Sequence, residues 1–242
     1  MSAPQAATLM LGASGPVDPY FSNVVFLWHA DGVNGAGPVY LPTVGTTVSA
    51  QGPGQGALAA SPVKFGTTSF ASATDNIRAS TSATYTIGTA DYVFECWVYP
   101  TSLGAGTFSF MDMRPSVTQG WYPNLVRIGA DLVLGMNSLV RITGAGALAV
   151  NAWNYVALAR ASGNTRMYCG TTGTAPQVGA TFVDSTSLIP VSTGIYLCRS
   201  SFGGASMQSW VGNLDEVRFT IGTARGYTGA SIPVPATAFP DQ

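Results

Sequence analysis

Two places in the chain carry carboxylates that could take part in catalysis, Glu95 and the adjacent pair Asp215 and Glu216. A glycoside hydrolase needs two carboxyl groups about 5–9.5 Å apart across the scissile bond. On β-strands such a pair lies at positions i and i+2, or on neighbouring strands that face the same way. The i±2 neighbours of Glu95 are Val93 and Trp97, and adjacent residues such as Asp215 and Glu216 are expected on opposite faces. The sequence therefore predicts that the protein is not an enzyme.

Glu95 lies among aromatic residues, where burial would raise the pKa of a general acid. The alternative that we favour is a structural carboxylate paired with Arg160 or Arg218, because a buried charge needs a partner. His29 is the only histidine, and Asp31 follows it at i+2. No Gly-x-Ser-x-Gly sequence accompanies them, so we expect His29 to be a hydrogen-bonded side chain at a strand end rather than a member of a catalytic triad.

Metal chemistry has little support in the sequence. The three cysteines, Cys96, Cys169 and Cys198, lack close C-x-x-C spacing and lie in apolar stretches, so we expect buried thiols rather than zinc ligands. The calcium candidates are loop residues with oxygen-bearing side chains, which equally serve turns by bonding their own backbone. They are Asp31, Asn34 and Asp75. We expect no cofactor unless calcium binds there.

Glycan recognition requires exposed aromatic faces beside amide and hydroxyl groups. The segment 114–124 provides the best combination, and the predicted ligand-binding residues are Arg114, Trp121, Tyr122 and Asn124. The alternative for Trp121 is that its ring caps the edge of the core.

These residues are distributed over short apolar runs separated by Gly, Asn, Ser or Pro, which is typical of strands in a sandwich or barrel. No helical periodicity extends beyond a turn or two. The predicted fold class is all-β, a two-sheet antiparallel β-sandwich. Strands are expected at 24–28, 63–70, 85–87, 92–99, 108–111, 125–128, 132–134, 139–143, 153–161, 165–169, 194–198 and 210–219, with at most short edge strands in 42–62.

The low charge of the chain and the composition of its N-terminus limit the kinds of binding partner that we expect. Only 9% of residues are charged and the net charge is −1, so neither nucleic acid nor an anionic membrane surface is an expected partner. Residues 1–18, rich in Ala, Gly and Pro, are predicted to form an extended arm before a single domain at 19–242. No basic residue precedes the apolar patch at 6–11, so we expect no signal peptide and synthesis in the cytoplasm.

Five segments, in order, resemble the laminin G-like, concanavalin A-like jelly-roll domains of tailed-bacteriophage structural proteins. They are 21–32 (FSNVVFLWHADG), 63–70 (VKFGTTSF), 90–100 (ADYVFECWVYP), 153–160 (WNYVALAR) and 211–225 (VGNLDEVRFTIGTAR). The match at 90–100 is the most specific. Within 153–160, Tyr155 stands where the family commonly has His.

The resemblance implies a jelly-roll used to bind glycans or partner proteins and, less often, to hydrolyse polysaccharide. We therefore expect a non-enzymatic virion surface protein, in a capsid decoration or a head or tail fibre. Its expected partners are other virion proteins, through residues 1–20, with homo-oligomers within the particle. The alternatives are an adhesin that binds a host-surface glycan and, with less support, a polysaccharide hydrolase.

Overall fold

The computed structural model describes residues 17–37, 39–51, 56–72, 76–80, 82–104, 106–114, 122–188, 194–198, 207–208 and 210–242. These residues form two β-sheets packed face to face, antiparallel except for one short parallel pairing, so the predicted all-β sandwich is confirmed. The helices of the described ranges are two 3-10 turns, Phe21–Asn23 and Ala83–Tyr85. No helix in these ranges is long and apolar enough to cross a membrane.

The strands follow one another along the chain with short connections. They are β1 (Val24–Trp28), β2 (Val39–Tyr40), β3 (Val48–Gln51), β4 (Ala57–Ala59), β5 (Ser69–Ser72), β6 (Asn76–Ala79), β7 (Tyr92–Pro100), β8 (Thr107–Asp112), β9 (Asn124–Ile128), β10 (Asp131–Met136), β11 (Leu139–Gly144), β12 (Asn154–Ala161), β13 (Asn164–Gly170), β14 (Thr174–Val183), β15 (Ile195–Leu197), β16 (Met207–Gln208), β17 (Gly212–Ile221) and β18 (Ser231–Pro233).

Nine strands make up each sheet in the described ranges. Sheet I has the order β18-β14-β13-β12-β7-β17-β5-β4, and β1 also pairs with β17. Sheet II has the order β11-β10-β9-β8-β15-β6-β3-β2, and β16 pairs with β8. Because the chain passes repeatedly between the two sheets, residues distant in sequence become neighbours within each sheet.

The main core lies between the sheets. Alternate residues of each strand point inward, since successive side chains of a strand face opposite sides. Phe94, Leu158 and Phe219 from sheet I meet Leu125, Leu134 and Leu197 from sheet II in one buried cluster. The three cysteines are free and buried, as predicted.

A second core covers the outer face of sheet I. The C-terminal segment, residues 222–242, crosses this face and buries Tyr227, Ile232 and Phe239 against Trp97 and Tyr155. The central strands β7 and β12 are therefore buried on both faces, which explains why they are almost continuously apolar. The outer face of sheet II, in contrast, carries polar and charged side chains such as those of Arg78, Tyr196 and Asp112.

The strand predicted at 63–70 is wrong for most of its length, since only Ser69 and Phe70 belong to a strand, β5. The preceding residues form a loop because side-chain carboxylates take the N–H groups that a strand would use in its ladder. Asp215 accepts from the N–H groups of Lys64 and Phe65, and Asp31 from those of Thr67 and Thr68. The sequence could not reveal these long-range acceptors.

Two further differences have local causes. The predicted strand at 85–87 is replaced by a 3-10 turn that ends at Tyr85, because the hydroxyl of Ser82 accepts from the N–H of Thr84 and starts the turn. The ten-residue strand β14 was not predicted. Its Gly and Pro content and its mostly exposed side chains hide it from pattern analysis.

The folded contacts begin at Asp18, which the sequence analysis assigned to the N-terminal arm. The Asp18 side chain is buried, and its carboxylate pairs with Arg218 and Arg225. Its backbone N–H also donates to the carbonyl oxygen of Gln242, at 2.7 Å. The remainder of the predicted arm, up to residue 16, lies outside the described residues.

Candidate functional site

A single row of residues crosses the solvent-facing side of sheet II from edge to edge. Each member is the direct cross-strand partner of the next, and in the middle of the row the flanking residues of Arg78, Tyr196 and Asp112 point into the core instead. In order across the sheet the row is Val39, Ser49, Arg78, Tyr196, Asp112, Asn124, Gly135 and Val140. Polar and aromatic side chains occupy the middle of the row, whereas its two ends are apolar or lack a side chain.

An ion pair fixes the polar side chains in the middle of this cross-strand row. Nε and Nη2 of Arg114 donate to the two oxygens of Asp112, each at 2.8 Å, and the Arg114 backbone N–H donates to Oδ1 at 3.0 Å. Next to them, the amide of Asn124 donates to Ser109 Oγ at 3.3 Å. Asp112 and Asn124 are only 1% and 3% exposed, so they are held rigidly in a partly dehydrated setting.

An apolar groove of about 190 Å³ continues from these polar groups toward β11. Its floor is formed by Val126, Val133 and Gly135, and its rim by Leu139 and Val140. A Cβ atom built on Gly135 would come no closer than 3.7 Å to its neighbours, so the space above this glycine is open. Arg114 and Asn124 line the other end of the groove. The arrangement suits a ligand with an apolar face and polar groups at one end.

Arg78 and Tyr196 continue the cross-strand row on the side of Asp112 that is opposite to Asn124. The Cζ atom of Arg78 lies 5.9 Å from the centroid of the Tyr196 ring, within the range of a cation–π contact. Tyr196 is half-buried, so part of its ring faces solvent. Tyr196 thus lies directly between a cation, Arg78, and an anion, Asp112.

The structure brings two of the four predicted ligand-binding residues together, Arg114 and Asn124. It buries Tyr122 instead, at 8% exposure, in the core between the sheets, where burial raises the pKa of its hydroxyl. This ring offers no stacking face because its apolar area is used for packing. Trp121 lies outside the described residues.

The candidate site also includes Arg78, Tyr196, Asp112 and Gly135, which the sequence alone did not single out. The sequence does contain a pattern that places Tyr196 on the outer face, because it stands between two apolar residues, Ile195 and Leu197, that point into the core. The same alternation places Arg78 between Ile77 and Ala79. What the sequence could not provide was the strand order that makes these short strands neighbours.

The calcium candidates that the structure describes hold loops in place. Asp31 Oδ1 accepts from the backbone N–H of Thr67 and Thr68 and from the Thr67 hydroxyl, and Asn34 Oδ1 accepts from the N–H of Ala60. Calcium requires six to eight oxygen ligands, and N–H donors aimed at the same oxygen do not fit a cation. Asp75 lies outside the described residues, and within them no group of three His, Cys, Asp or Glu residues could hold a metal ion.

The carboxylates of sheet I face the C-terminal segment. Glu95 is paired with Arg218, one of its two expected partners, at 2.9 Å, and accepts hydrogen bonds from the hydroxyls of Tyr155 and Tyr227. Arg160, the other expected partner, pairs with Asp184 instead. Ten of the eleven Asp and Glu residues lie in the described ranges, all except Asp75, and each of the ten is hydrogen-bonded within the chain.

The expectation that Asp215 and Glu216 point to opposite faces is wrong. A β-bulge in β17 shifts the register between Asp215 and Arg218, and Glu216 adopts a positive φ of 50°. Both carboxylates consequently lie on the outer face of sheet I. Burial raises the pKa of Asp215 to about 8, although the N–H groups of Lys64 and Phe65 oppose this shift.

His29 is a hydrogen-bonded side chain at the end of β1, as predicted. Its Nδ1 lies 2.8 Å from Glu216 Oε1, and its Nε2 lies 2.8 Å from Asp241 Oδ1. Burial lowers the pKa of His29, but the two carboxylates outweigh it and raise the pKa to about 9. With acceptors at both ring nitrogens, the imidazole carries both protons and serves as a clamp on the C-terminal segment.

Comparison with protein families matches residues 70–221 to the model of the concanavalin A-like lectin/glucanases superfamily. This range includes every member of the cross-strand row except Val39 and Ser49. No curated protein sequence matches the chain.

Similar solved structures share the fold at low sequence identity. The binding domain of Paraclostridial Mosquitocidal Protein 1 has a TM-score of 0.58 and 9% identity, over 85% of this chain and 51% of that one. A mutant Trypanosoma rangeli sialidase with trans-sialidase activity has a TM-score of 0.56 and 12% identity, over 83% of this chain but only 31% of the sialidase. A third similar structure is Domain 4 of AbnA, a GH43 extracellular arabinanase from Geobacillus stearothermophilus, in complex with arabinotriose. Its TM-score is 0.54 and its identity 14%, over 83% of this chain and 93% of that domain.

Proposed function

Because this chain belongs to the concanavalin A-like lectin/glucanases superfamily, we propose that it is a non-catalytic carbohydrate-binding module whose ligand lies on the outer face of sheet II. One observation carries the proposal, the cross-strand row with Tyr196, Asp112 and Asn124 at its centre. A sugar ring has an apolar face and a rim of hydroxyl groups, so it is complementary to an aromatic ring flanked by acceptors and donors.

The rigidity of this polar centre supports binding. The Asp112–Arg114 pair and the Asn124–Ser109 hydrogen bond fix the side chains before a ligand arrives. Pre-organisation lowers the entropy that binding must overcome. The complex of the arabinanase domain with arabinotriose supports a carbohydrate ligand for the same fold.

A non-catalytic role is supported by the environment of the carboxylates. On the outer face of sheet II, both carboxylate oxygens of Asp112 accept hydrogen bonds from the guanidinium of Arg114, so they are engaged in a bidentate pair. The carboxylates on the outer face of sheet I lie beneath the C-terminal segment. We expect no release of reducing ends when the protein is incubated with the polysaccharide that it binds.

The test is a glycan array followed by titration calorimetry with the best-bound oligosaccharide. We expect Tyr196→Ala to weaken binding by about tenfold or more, which is about 1.4 kcal/mol. The matched control is Tyr99→Ala, a half-buried tyrosine of sheet I that packs on Trp153. No binding to any glycan, or equal losses in the two variants, would contradict the proposal.

We also infer that the module is carried on the surface of a tailed-bacteriophage particle, where residues 1–20 attach it to other virion proteins. This second inference rests on the sequence resemblance at 90–100 and 211–225 alone. Mass spectrometry of purified particles tests it, together with a variant that lacks residues 1–16. We expect the full chain in the particles and the shortened chain in the unbound fraction, whereas absence of the full chain from particles would refute the inference.

A further inference from the structure

We propose that the ligand is an acidic saccharide and that Arg78 binds its carboxylate. This inference rests on the proposed carbohydrate-binding function and specifies the ligand class. Arg78 stands in the cross-strand row next to Tyr196, on the side opposite to Asp112. A carboxylate-bearing sugar stacked on Tyr196 would therefore meet a cation on one side and a hydrogen-bonding pair on the other.

The guanidinium of Arg78 makes no ion pair or hydrogen bond with any described residue, and its Nε is shielded from solvent without a partner. The arginine beside it on this face, Arg114, is bound through two N–H groups to Asp112. On the other sheet, Arg160 and Arg218 are likewise paired with carboxylates. A shielded donor without an acceptor is costly, and a ligand carboxylate would supply the acceptor.

The chemistry of the guanidinium favours a planar anion. Arginine presents five N–H donors in a rigid fork that matches a carboxylate through two parallel hydrogen bonds. Contact with the Tyr196 ring limits the orientations of the Arg78 side chain, so less conformational entropy is lost on binding. The free guanidinium is therefore suited to a carboxylate in a defined place rather than to a diffuse negative charge.

The order of charges along the row fixes the direction of the ligand. Neighbouring strands lie about 4.8 Å apart, so Arg78 and Asp112 are separated by roughly 10 Å across Tyr196. One sugar ring with its substituents fits this interval. The carboxylate of the sugar faces Arg78, because Asp112 would repel it, and the remainder of the sugar extends over Tyr196 toward the Asp112–Arg114 pair.

The low net charge of the protein favours an acidic saccharide over a nucleic acid as the anionic ligand. The chain has a net charge of −1 and contains a single lysine. Nucleic-acid binding depends on several Lys or Arg side chains that neutralise successive phosphates. One free arginine beside an aromatic ring matches one carboxylate on a sugar.

The experiment compares acidic oligosaccharides with their carboxyl-reduced forms by titration calorimetry. The probes are oligogalacturonate, oligomannuronate, oligoguluronate and hyaluronan oligosaccharides. We expect at least one acidic form to bind about tenfold or more tightly than its reduced form, and this ratio to fall toward one in Arg78→Gln. Arg78→Lys should retain only part of the ratio, because lysine keeps the charge without the planar fork.

The control is Arg166→Gln, which removes a charge from β13 of sheet I and should leave the ratio unchanged. Thermal unfolding of each variant verifies that it is folded. Equal binding of acidic and reduced forms, or a ratio that survives Arg78→Gln, would overturn the acidic-ligand inference and leave the carbohydrate-binding function standing. Failure of every acidic and neutral glycan to bind would overturn both.

Discussion

At the scale of single residues, a buried network of charges is the main feature of sheet I. Arg218 bridges Glu95 and Asp18, and Arg225 pairs with the same Asp18. Asp18 lies 200 residues from Arg218 in the sequence, so the network joins the two ends of the described chain. Such pairs are strongly destabilised when one partner is removed, because a buried charge is left without compensation.

We predict that Glu95→Ala lowers the free energy of unfolding by about 3–5 kcal/mol, since Arg218 would remain buried without its main partner. Urea denaturation followed by fluorescence measures this change. Arg166→Ala serves as the control and should change stability by less than about 0.5 kcal/mol. A loss below about 1 kcal/mol in Glu95→Ala would show that the pair is not a major element of stability.

His29 links pH to the attachment of the C-terminal segment. Its pKa is about 9 in the folded chain against 6.5 as the ordinary value. A group whose pKa is raised by folding contributes stability that is fully present below its unfolded pKa and is lost as pH rises through its folded pKa. The contribution of His29 is therefore complete below about pH 6.5 and declines toward pH 9.

We predict that the stability difference between the wild type and His29→Gln is largest at pH 6 and shrinks between about pH 6.5 and 9. Chemical denaturation at a series of pH values measures it. Asp215, whose pKa is about 8, also titrates in this window, but it is present in both proteins and largely cancels in the difference. A difference that is constant with pH would contradict the protonated His29 clamp.

At the scale of elements, the C-terminal segment both contributes the edge strand β18 to sheet I and covers part of the outer face of that sheet. Phe239 is 4% exposed, lies in the second core and stacks 3.9 Å from the guanidinium carbon of Arg218. The backbone N–H of Phe239 donates to Glu216, which also binds His29. Apolar packing and buried charge thus hold the same stretch of chain.

Phe239→Ala should therefore lower the free energy of unfolding by about 3–5 kcal/mol through lost burial and a residual cavity. The neighbouring exposed residue gives the control, Thr237→Ala, for which we expect no more than about 0.5 kcal/mol. Thermal and urea unfolding measure both. If the two variants are equally stable, the C-terminal segment does not contribute to the folded core.

The long central strands could be predicted from sequence because both of their faces are buried. β7 and β12 were expected at nearly their observed bounds, since continuous apolar runs with Trp, Tyr and Val favour buried strands. The loop at 63–68 and the bulge in β17 could not be predicted, because both depend on contacts between distant residues. Arg114 and Asn124 were predicted from residue type, whereas the placement of Arg78 and Tyr196 beside them depends on the strand order of sheet II.

At the scale of the whole molecule, the two outer faces differ in how far other parts of the chain cover them. The outer face of sheet I is largely covered by the C-terminal segment, and its carboxylates are hydrogen-bonded within the chain. The outer face of sheet II carries the apolar groove and the guanidinium of Arg78, which pairs with no carboxylate in the described part of the chain. This difference is the reason that we propose the outer face of sheet II as the ligand-binding side.

We predict that Gly135→Val blocks the groove without loss of stability. A Cβ at this position meets only ordinary contacts, and valine favours strands, so thermal unfolding should be unchanged or raised. Titration calorimetry should show binding weakened by about tenfold or more, with Gly135→Ala intermediate. Full affinity in the valine variant would place the ligand elsewhere.

The most direct test of a ligand site on sheet II is an NMR titration of isotope-labelled protein with the oligosaccharide that binds best. We expect the amide signals that shift to belong to β6, β8, β9 and β15, with the largest changes around Tyr196 and Arg78. Signals of β12, β13 and the C-terminal segment should remain in place. Shifts confined to those elements of sheet I, with β6 and β15 unaffected, would contradict it.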